Sequence, residues 1–127
     1  MADDRLVRAA SVAAVERFVD AMPELRDEWE EHCRFYDGPL PHVFFGDVTR
    51  YAVRTLPTAA PDVRARLGAA LEELAASADG DVVNVVAVSF FEHLVFGDDA
   101  DIAALELLRP HLGPASLEIV ELLRRDR

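Results

Sequence analysis

Four polar residues lie within an otherwise apolar segment near the middle of the chain, and their types are those that do chemistry. The segment runs from Asp81 to Phe96, and the polar residues that follow Asp81 are Asn84, Ser89, Glu92 and His93. A helix that is apolar around most of its circumference belongs at the centre of a fold, where polar groups must be hydrogen-bonded, paired or exposed in a groove. The pattern therefore predicts a central helix with a candidate site on its polar side.

Ser89, Glu92 and His93 include the residue types of a serine nucleophile and its base, but their spacing argues against that chemistry. Adjacent residues on a helix diverge by about 100°, so Glu92 cannot easily bond His93. No Gly-x-Ser-x-Gly turn surrounds Ser89. We expect these side chains to bond neighbouring helices instead, and we predict no catalytic residue.

The candidate metal ligands are scattered along the chain. Zinc sites usually pair their ligands at short spacing, and di-metal bundles repeat Glu-x-x-His on two helices. Neither pattern occurs in this sequence, so we predict no metal and no cofactor. The residues that could act as metal ligands are His32, His42, Asp47, Glu92, His93 and His111.

The third predicted helix, which precedes the central one in the chain, adds two charged residues to the candidate site. Asp47 and Arg50 have the i, i+3 spacing of an ion pair within one helix, and a pair between Arg50 and Glu92 is a second hypothesis. The predicted groove then consists of Asp47, Arg50, Asn84, Glu92 and His93. This groove is one candidate contact surface for a protein partner. It would also serve the alternative function, that of a small-ligand or metal-binding, enzyme-like domain.

The clearest surface feature is an acidic stripe on the second predicted helix. Glu24, Asp27, Glu28 and Glu31 recur at i, i+3, i+4 and i+7, which aligns them along one face. Such a face is usually just solvated, and acidic residues in a first turn suit the helix dipole. Like charges at this spacing repel, so a continuous stripe has little local structural benefit. The functional interpretation is a surface that captures a basic partner.

Composition limits the class of partner. The chain has 127 residues and a net charge of −11, and all 13 of its basic residues are Arg. This charge argues against nucleic acid or an anionic membrane as a direct partner, because phosphates need a basic surface, and it leaves a basic protein partner open. A single cysteine, Cys33, and an N-terminal sequence without the apolar core of a signal peptide favour the cytoplasm.

Apolar residues recur with helical spacing along the whole chain, and Pro and Gly mark the breaks. No segment alternates as paired strands do. We predict a single all-α domain of six to seven helices over residues 11–127, preceded by a flexible N-terminus over residues 1–10. The architecture is an irregular bundle or a short HEAT-like stack of helical hairpins. The second option rests on a faint self-similarity at an offset of 45 residues, which pairs Gly68 with Gly113.

Three segments resemble a known group of proteins: PELRDEWEEH (Pro23–His32), LPHVFFGDVTRY (Leu40–Tyr51) and VVNVVAVSFFEHL (Val82–Leu94). From about Ser11 to its C-terminus the chain resembles a family of small, acidic, all-helical bacterial proteins of unknown function. In character these are similar to the immunity and accessory proteins of bacterial toxin systems. The resemblance implies no catalytic residue. The expected function is a non-enzymatic protein-binding module that sequesters or escorts a basic protein, and a self-assembling structural subunit is a third hypothesis.

Overall fold

The structure, a computed structural model, describes the backbone of residues 4–126 and the side chains of residues 9–126. Within this part of the chain it forms seven helices and no strand, which confirms the predicted all-α fold. The helices are α1 (Asp4–Ala21), α2 (Arg26–Phe35), α3 (Pro41–Thr55), α4 (Pro61–Ala75), α5 (residues 80–95), α6 (Asp99–Leu108) and α7 (Pro114–Arg125).

The first helix begins earlier than predicted. Residues 4–10, which the sequence pattern left outside the domain, belong to α1. Residues 1–3 of the predicted flexible N-terminus lie outside the described residues. No helix in the described part of the chain combines the length and apolarity needed to cross a membrane.

Prolines set the start of several helices. Pro41, Pro61 and Pro114 are the first residues of α3, α4 and α7, where the missing N–H is not needed for a helical hydrogen bond. Pro23 opens a 3₁₀ turn, Pro23–Leu25, that leads into α2. The predicted second helix therefore begins as a tighter turn and becomes α-helical only at Arg26.

A left-handed turn ends α2 and fixes the direction of α3. Asp37 has φ +51° and Gly38 has φ +131°, a region that Asp tolerates and Gly adopts freely. The Gly38 N–H donates to the carbonyl of Cys33 at 3.0 Å, which satisfies one of the free carbonyls at the helix end. After this turn Phe44, near the start of α3, packs against His32 of α2.

The core is made of large apolar side chains contributed by all of the longer helices. Its largest fully buried members are Phe44, Phe45, Phe90, Phe91, Met22, Leu25, Leu56, Leu67, Leu71, Leu94, Leu105 and Leu108. Helix α5 packs against α1, α3, α4 and α7 and is therefore the central helix of the bundle, as the apolar segment predicts.

Helix α5 changes its winding halfway along. Residues Ala87–Glu92 form a π-helix, which places one more residue in each turn than an α-helix does. Val82 and Val86 are buried before this segment, and an uninterrupted α-helix would continue their face through Ser89 and His93. The extra residue instead turns the following apolar side chains into the core. These are Phe90, Phe91, Leu94 and Val95.

The predicted inner face of α5 is therefore wrong in part. A strict 100° per residue puts Val83 and Ala87 on the inner face and Val85 on the polar side. In the structure Val83 and Ala87 are only half-buried, whereas Val85 is buried. The difference arises because helical periodicity assumes an unbroken α-helix, which α5 is not.

The self-similarity between the two halves does not correspond to a structural repeat. Gly68 lies inside α4, where a Cβ would come within 2.3 Å of the carbonyl oxygen of His111. Gly113 is instead the N-cap residue of α7. The paired glycines occupy unlike positions, so the offset of 45 residues does not align equivalent positions of the helical bundle.

Candidate functional site

The polar residues of α5 lie at or near the protein surface. Asn84, Glu92 and His93 are exposed, and Ser89 is half-buried. The Ser89 Oγ lies 2.7 Å from Nδ1 of His42 on α3, so the serine bonds a neighbouring helix. This contact ties α3 to the π-helical segment.

A second contact between these helices involves Thr49, which nothing in the sequence pattern distinguishes. Its hydroxyl lies 2.7 Å from the carbonyl oxygen of Phe45 and 2.9 Å from that of Ser89. Because a hydroxyl has one proton, it donates to one carbonyl at a time. Thr49 is almost fully buried, so this hydroxyl satisfies polar groups that water cannot reach.

The structure divides the predicted groove between separate surfaces. Asp47 lines a pocket between α2 and α3, whereas Glu92 and His93 line an open depression of about 260 Å³ at the end of α5. Arg50 forms an ion pair with Asp47 on its own helix, and among the described residues it has no ion pair with Glu92. Asn84 lines neither surface.

The first residue of the acidic stripe already pairs with a basic residue of the same chain. Glu24 accepts two hydrogen bonds from the guanidinium of Arg66 on α4, at 2.9 and 2.8 Å. These bonds to Arg66 hold the pKa of Glu24 below its usual range. This bidentate contact fixes the 3₁₀ turn that leads into α2 against α4, so Glu24 has a structural role in the isolated protein.

The remainder of the stripe is only weakly neutralised. Glu28 lies 3.8 Å from Arg54 of α3, with both side chains partly exposed. Asp27 and Glu31 are exposed, and neither takes part in an ion pair among the described side chains. The negative charge available to a partner therefore lies in the middle and end of α2.

The end of the stripe opens into a pocket of about 400 Å³ between α2 and α3, here called the α2/α3 pocket. Its volume falls in the range of about 300–1,000 Å³ common for ligand pockets. Three of its lining residues are acidic and two are exposed aromatics, Phe35 at 78% and Tyr36 at 43%. The lining residues are Glu28, Glu31, His32, Phe35, Tyr36 and Asp47.

His32 is the one buried residue of the α2/α3 pocket, with 4% of its surface exposed. Its Nε2 accepts a hydrogen bond from the Leu40 N–H at 2.9 Å, so this nitrogen carries no proton. Burial lowers the pKa of His32 and outweighs the opposing effect of the Asp47 carboxylate, which favours a neutral ring. The neutral ring must then carry its proton on Nδ1, and that buried atom has no hydrogen-bond partner among the described residues.

Aromatic packing holds the His32 ring in place. The ring stacks on Trp29 with their centres 5.7 Å apart and their planes 11° apart. Phe44 and Tyr36 pack against it at 5.6 and 4.8 Å. Because Trp29 is the only Trp of the chain, its fluorescence reports directly on this pocket.

The candidate metal ligands do not come together. Within residues 9–126, the structure brings no three His, Cys, Asp or Glu side chains into a group that could hold a metal ion. His32 and Asp47 share the α2/α3 pocket, and His93 and Glu92 share the depression on α5.

Fold and site together define an irregular all-α bundle with an acidic, aromatic pocket between two adjacent helices. The chain belongs to the family described as Domain of unknown function (DUF7674), whose model matches residues 15–125. This agrees with the resemblance to an uncharacterised family. No curated protein and no solved structure matches the chain.

Proposed function

We propose that this protein is a non-enzymatic binding module that captures a basic protein through α2 and the α2/α3 pocket. The observation that carries the proposal is the combination of exposed Phe35 and Tyr36 with the carboxylates of Glu28, Glu31 and Asp47 in one pocket. Aromatic side chains give an interface contact area, and the carboxylates select a positively charged partner.

The exposed aromatics support a binding surface over a merely solvated helix face. A solvated acidic face needs no large apolar groups, yet Phe35 is the most exposed of the large apolar side chains described. Phe35 and Tyr36 also pack against each other at 4.8 Å in an edge-to-face arrangement, which makes them a single ordered patch. Burial of this patch under a partner would remove apolar area from water.

The most concrete version of the proposal is an immunity or accessory role in a bacterial toxin system. In that role the acidic surface would cover the basic surface of an effector and block its action. The support is the net charge of −11 and the resemblance of three segments to a family with that character.

Affinity capture from a lysate of the source organism tests the proposal. The bait is the purified protein, and the comparison is a triple variant, Glu28→Gln with Glu31→Gln and Asp47→Asn. We expect wild type to retain one basic protein, with retention weakening as salt rises, because the attraction is between exposed charges. The triple variant is expected to lose it.

A matched control removes three charges elsewhere. Glu73→Gln, Glu118→Gln and Glu121→Gln neutralise exposed carboxylates on α4 and α7, two of which lie near an Arg as Glu28 and Asp47 do. This variant should capture the basic protein as wild type does, and circular dichroism would establish that both variants fold. Equal capture by all three proteins, or no specific capture by wild type, would refute the proposal.

A second candidate function, small-ligand binding at the end of α5, is supported by one observation. The π-helical segment contributes Val88 and Glu92 to the lining of the depression, and such segments are frequent at functional sites. Glu92→Gln and His93→Asn would abolish ligand-induced stabilisation under this alternative and leave protein capture intact. Under the main proposal, the triple variant of Glu28, Glu31 and Asp47 loses protein capture, and the Glu92 and His93 substitutions leave that capture unchanged.

A further inference from the structure

The α2/α3 pocket places carboxylates on two of its sides. Glu28 and Glu31 lie one turn apart on α2, and Asp47 faces them from α3. Arg54 and Arg50 lie near Glu28 and Asp47, which leaves Glu31 without an ion-pair partner among the described residues. Carboxylates on both sides of an opening can accept hydrogen bonds from several N–H groups of one bound cation.

Aromatic rings form the rest of the opening. Phe35 and Tyr36 are both largely exposed, and the centre of the Tyr36 ring lies 4.8 Å from that of His32. A flat cation stacks favourably on the face of such rings, particularly where carboxylates hold it in place. The walls therefore combine the two kinds of contact that a guanidinium group makes best.

A third observation points to an occupant. The Nδ1–H of His32 is a buried donor with no acceptor among the described residues, and the His32 ring is one wall of the pocket. A buried donor without a partner is unfavourable, so an acceptor that reaches it contributes to binding. The carboxylates of the pocket need a hydrogen-bond donor, whereas the Nδ1–H of His32 needs a hydrogen-bond acceptor nearby. An amino-acid residue with a cationic side chain supplies both, because its backbone carbonyl is an acceptor.

We propose that the α2/α3 pocket binds one arginine side chain of the partner protein. The guanidinium lies between Glu31 and Asp47 and stacks on Phe35 or Tyr36. The Nδ1–H of His32 donates to the backbone carbonyl of the same arginine. This inference rests on the proposed function and names the group that the acidic surface recognises.

Arginine fits this pocket better than lysine. Its planar guanidinium has five N–H donors in a fixed arrangement, which suits carboxylates on two sides and a ring face at the same time. Lysine offers a compact and strongly hydrated charge that neither stacks nor bridges in this way. Discrimination between the two is therefore the sharpest property of the site.

The test uses N-acetyl-arginine amide as the probe, with the lysine and citrulline analogues for comparison. Trp29 stacks on His32, so its fluorescence should change saturably as the arginine probe is added. We expect the arginine probe to bind roughly fivefold or more tightly than the lysine analogue, as two-pronged and stacked contacts imply. The uncharged citrulline analogue should give no saturable change.

Two further measurements locate the binding site. Glu31→Gln and Asp47→Asn should each weaken binding of the arginine probe, whereas Glu118→Gln on α7 should leave it unchanged. In wild type, the Nδ1–H resonance of His32 should shift on titration with the arginine probe, a readout that needs no substitution. A fluorescence change that the Glu118 variant loses and the Glu31 variant keeps would overturn the proposal.

The outcomes separate this inference from the proposed function. Equal binding of arginine and lysine probes overturns the arginine assignment and leaves capture of a basic protein standing. Absence of probe binding, with partner capture still dependent on Glu28, Glu31 and Asp47, also overturns the inference alone. Arginine binding without capture of any protein supports the site and refutes the proposed function.

Discussion

A carboxylate from α4 caps the start of α7, and its removal has a predictable cost. Glu72 accepts hydrogen bonds from the backbone N–H groups of Ala115 and Ser116, at 3.0 and 2.8 Å. The N-cap residue of α7 is Gly113, which has no side chain to provide this cap. Glu72 thus does from another helix what an N-cap Asp or Ser usually does within the same helix.

The magnitude follows from the two hydrogen bonds. Each bond from a backbone N–H to a charged acceptor contributes about 1.5–3 kcal/mol, and the lower value applies because Glu72 is half-exposed. Glu72→Ala should therefore reduce the free energy of unfolding by about 2–3 kcal/mol. At roughly 4 °C per kcal/mol for a domain of this size, the Tm should fall by roughly 10 °C. The Glu72→Gln variant keeps one acceptor oxygen, so its Tm should lie between those of wild type and Glu72→Ala.

Thermal and urea unfolding would measure this cost, with Glu73→Ala as the matched control. Glu73 is exposed and its partner Arg17 is 3.7 Å away, a surface pair expected to contribute under about 1 kcal/mol. If Glu72→Ala and Glu73→Ala unfold at the same urea concentration, the cap contributes nothing and the reasoning fails.

The effect of Glu72 should also depend on pH. Burial by itself would raise the pKa of Glu72, but the N–H groups of Ser116 and Ala115 outweigh it, so the pKa lies below its value of 4.5 in the unfolded chain. The stabilisation is therefore complete above that pH and is lost as the pH falls through the lowered pKa. The difference in the free energy of unfolding between wild type and Glu72→Ala should shrink over the same range of falling pH.

Two other predictions concern a close helix contact and the buried histidine. Gly68→Ala should destabilise the protein by about 1–3 kcal/mol in urea unfolding, because its Cβ would meet the backbone of His111, whereas Gly80→Ala meets no neighbour and should raise stability slightly. Burial lowers the pKa of His32, so its contribution to stability is complete above about pH 6.5 and lost as the pH falls below that value. His32→Gln keeps a hydrogen-bond acceptor for the Leu40 N–H. Its free energy of unfolding should depend less on pH between pH 7.5 and 5.5 than that of wild type. The same pH dependence in wild type and His32→Gln would contradict a buried neutral ring.

Helix positions could be predicted from the sequence because their determinants are local. Proline fits best in the first turn of a helix, so Pro41, Pro61 and Pro114 mark three helix starts correctly. The winding of α5 could not be predicted with a template of 3.6 residues per turn.

The candidate site was only partly predictable because its contacts join distant segments. Helical spacing aligns the acidic residues of α2, but nothing local shows that Glu24 pairs with Arg66, which lies 42 residues away in the chain. The approach of Asp47 to α2 likewise depends on the left-handed turn at Asp37 and Gly38. His32 shares a stripe with apolar residues, so the sequence predicts its burial but not the unpartnered Nδ1.

The central claim, that the end of α2 faces a basic partner, is tested most directly by photo-crosslinking at Phe35 in the source cell. Phe35 and Leu122 are both exposed apolar residues, on α2 and α7, so p-benzoylphenylalanine can replace either with little effect on the core. We expect a covalent adduct with one basic protein from position 35 and none from position 122. An adduct from position 122 alone, or from neither position, would contradict it.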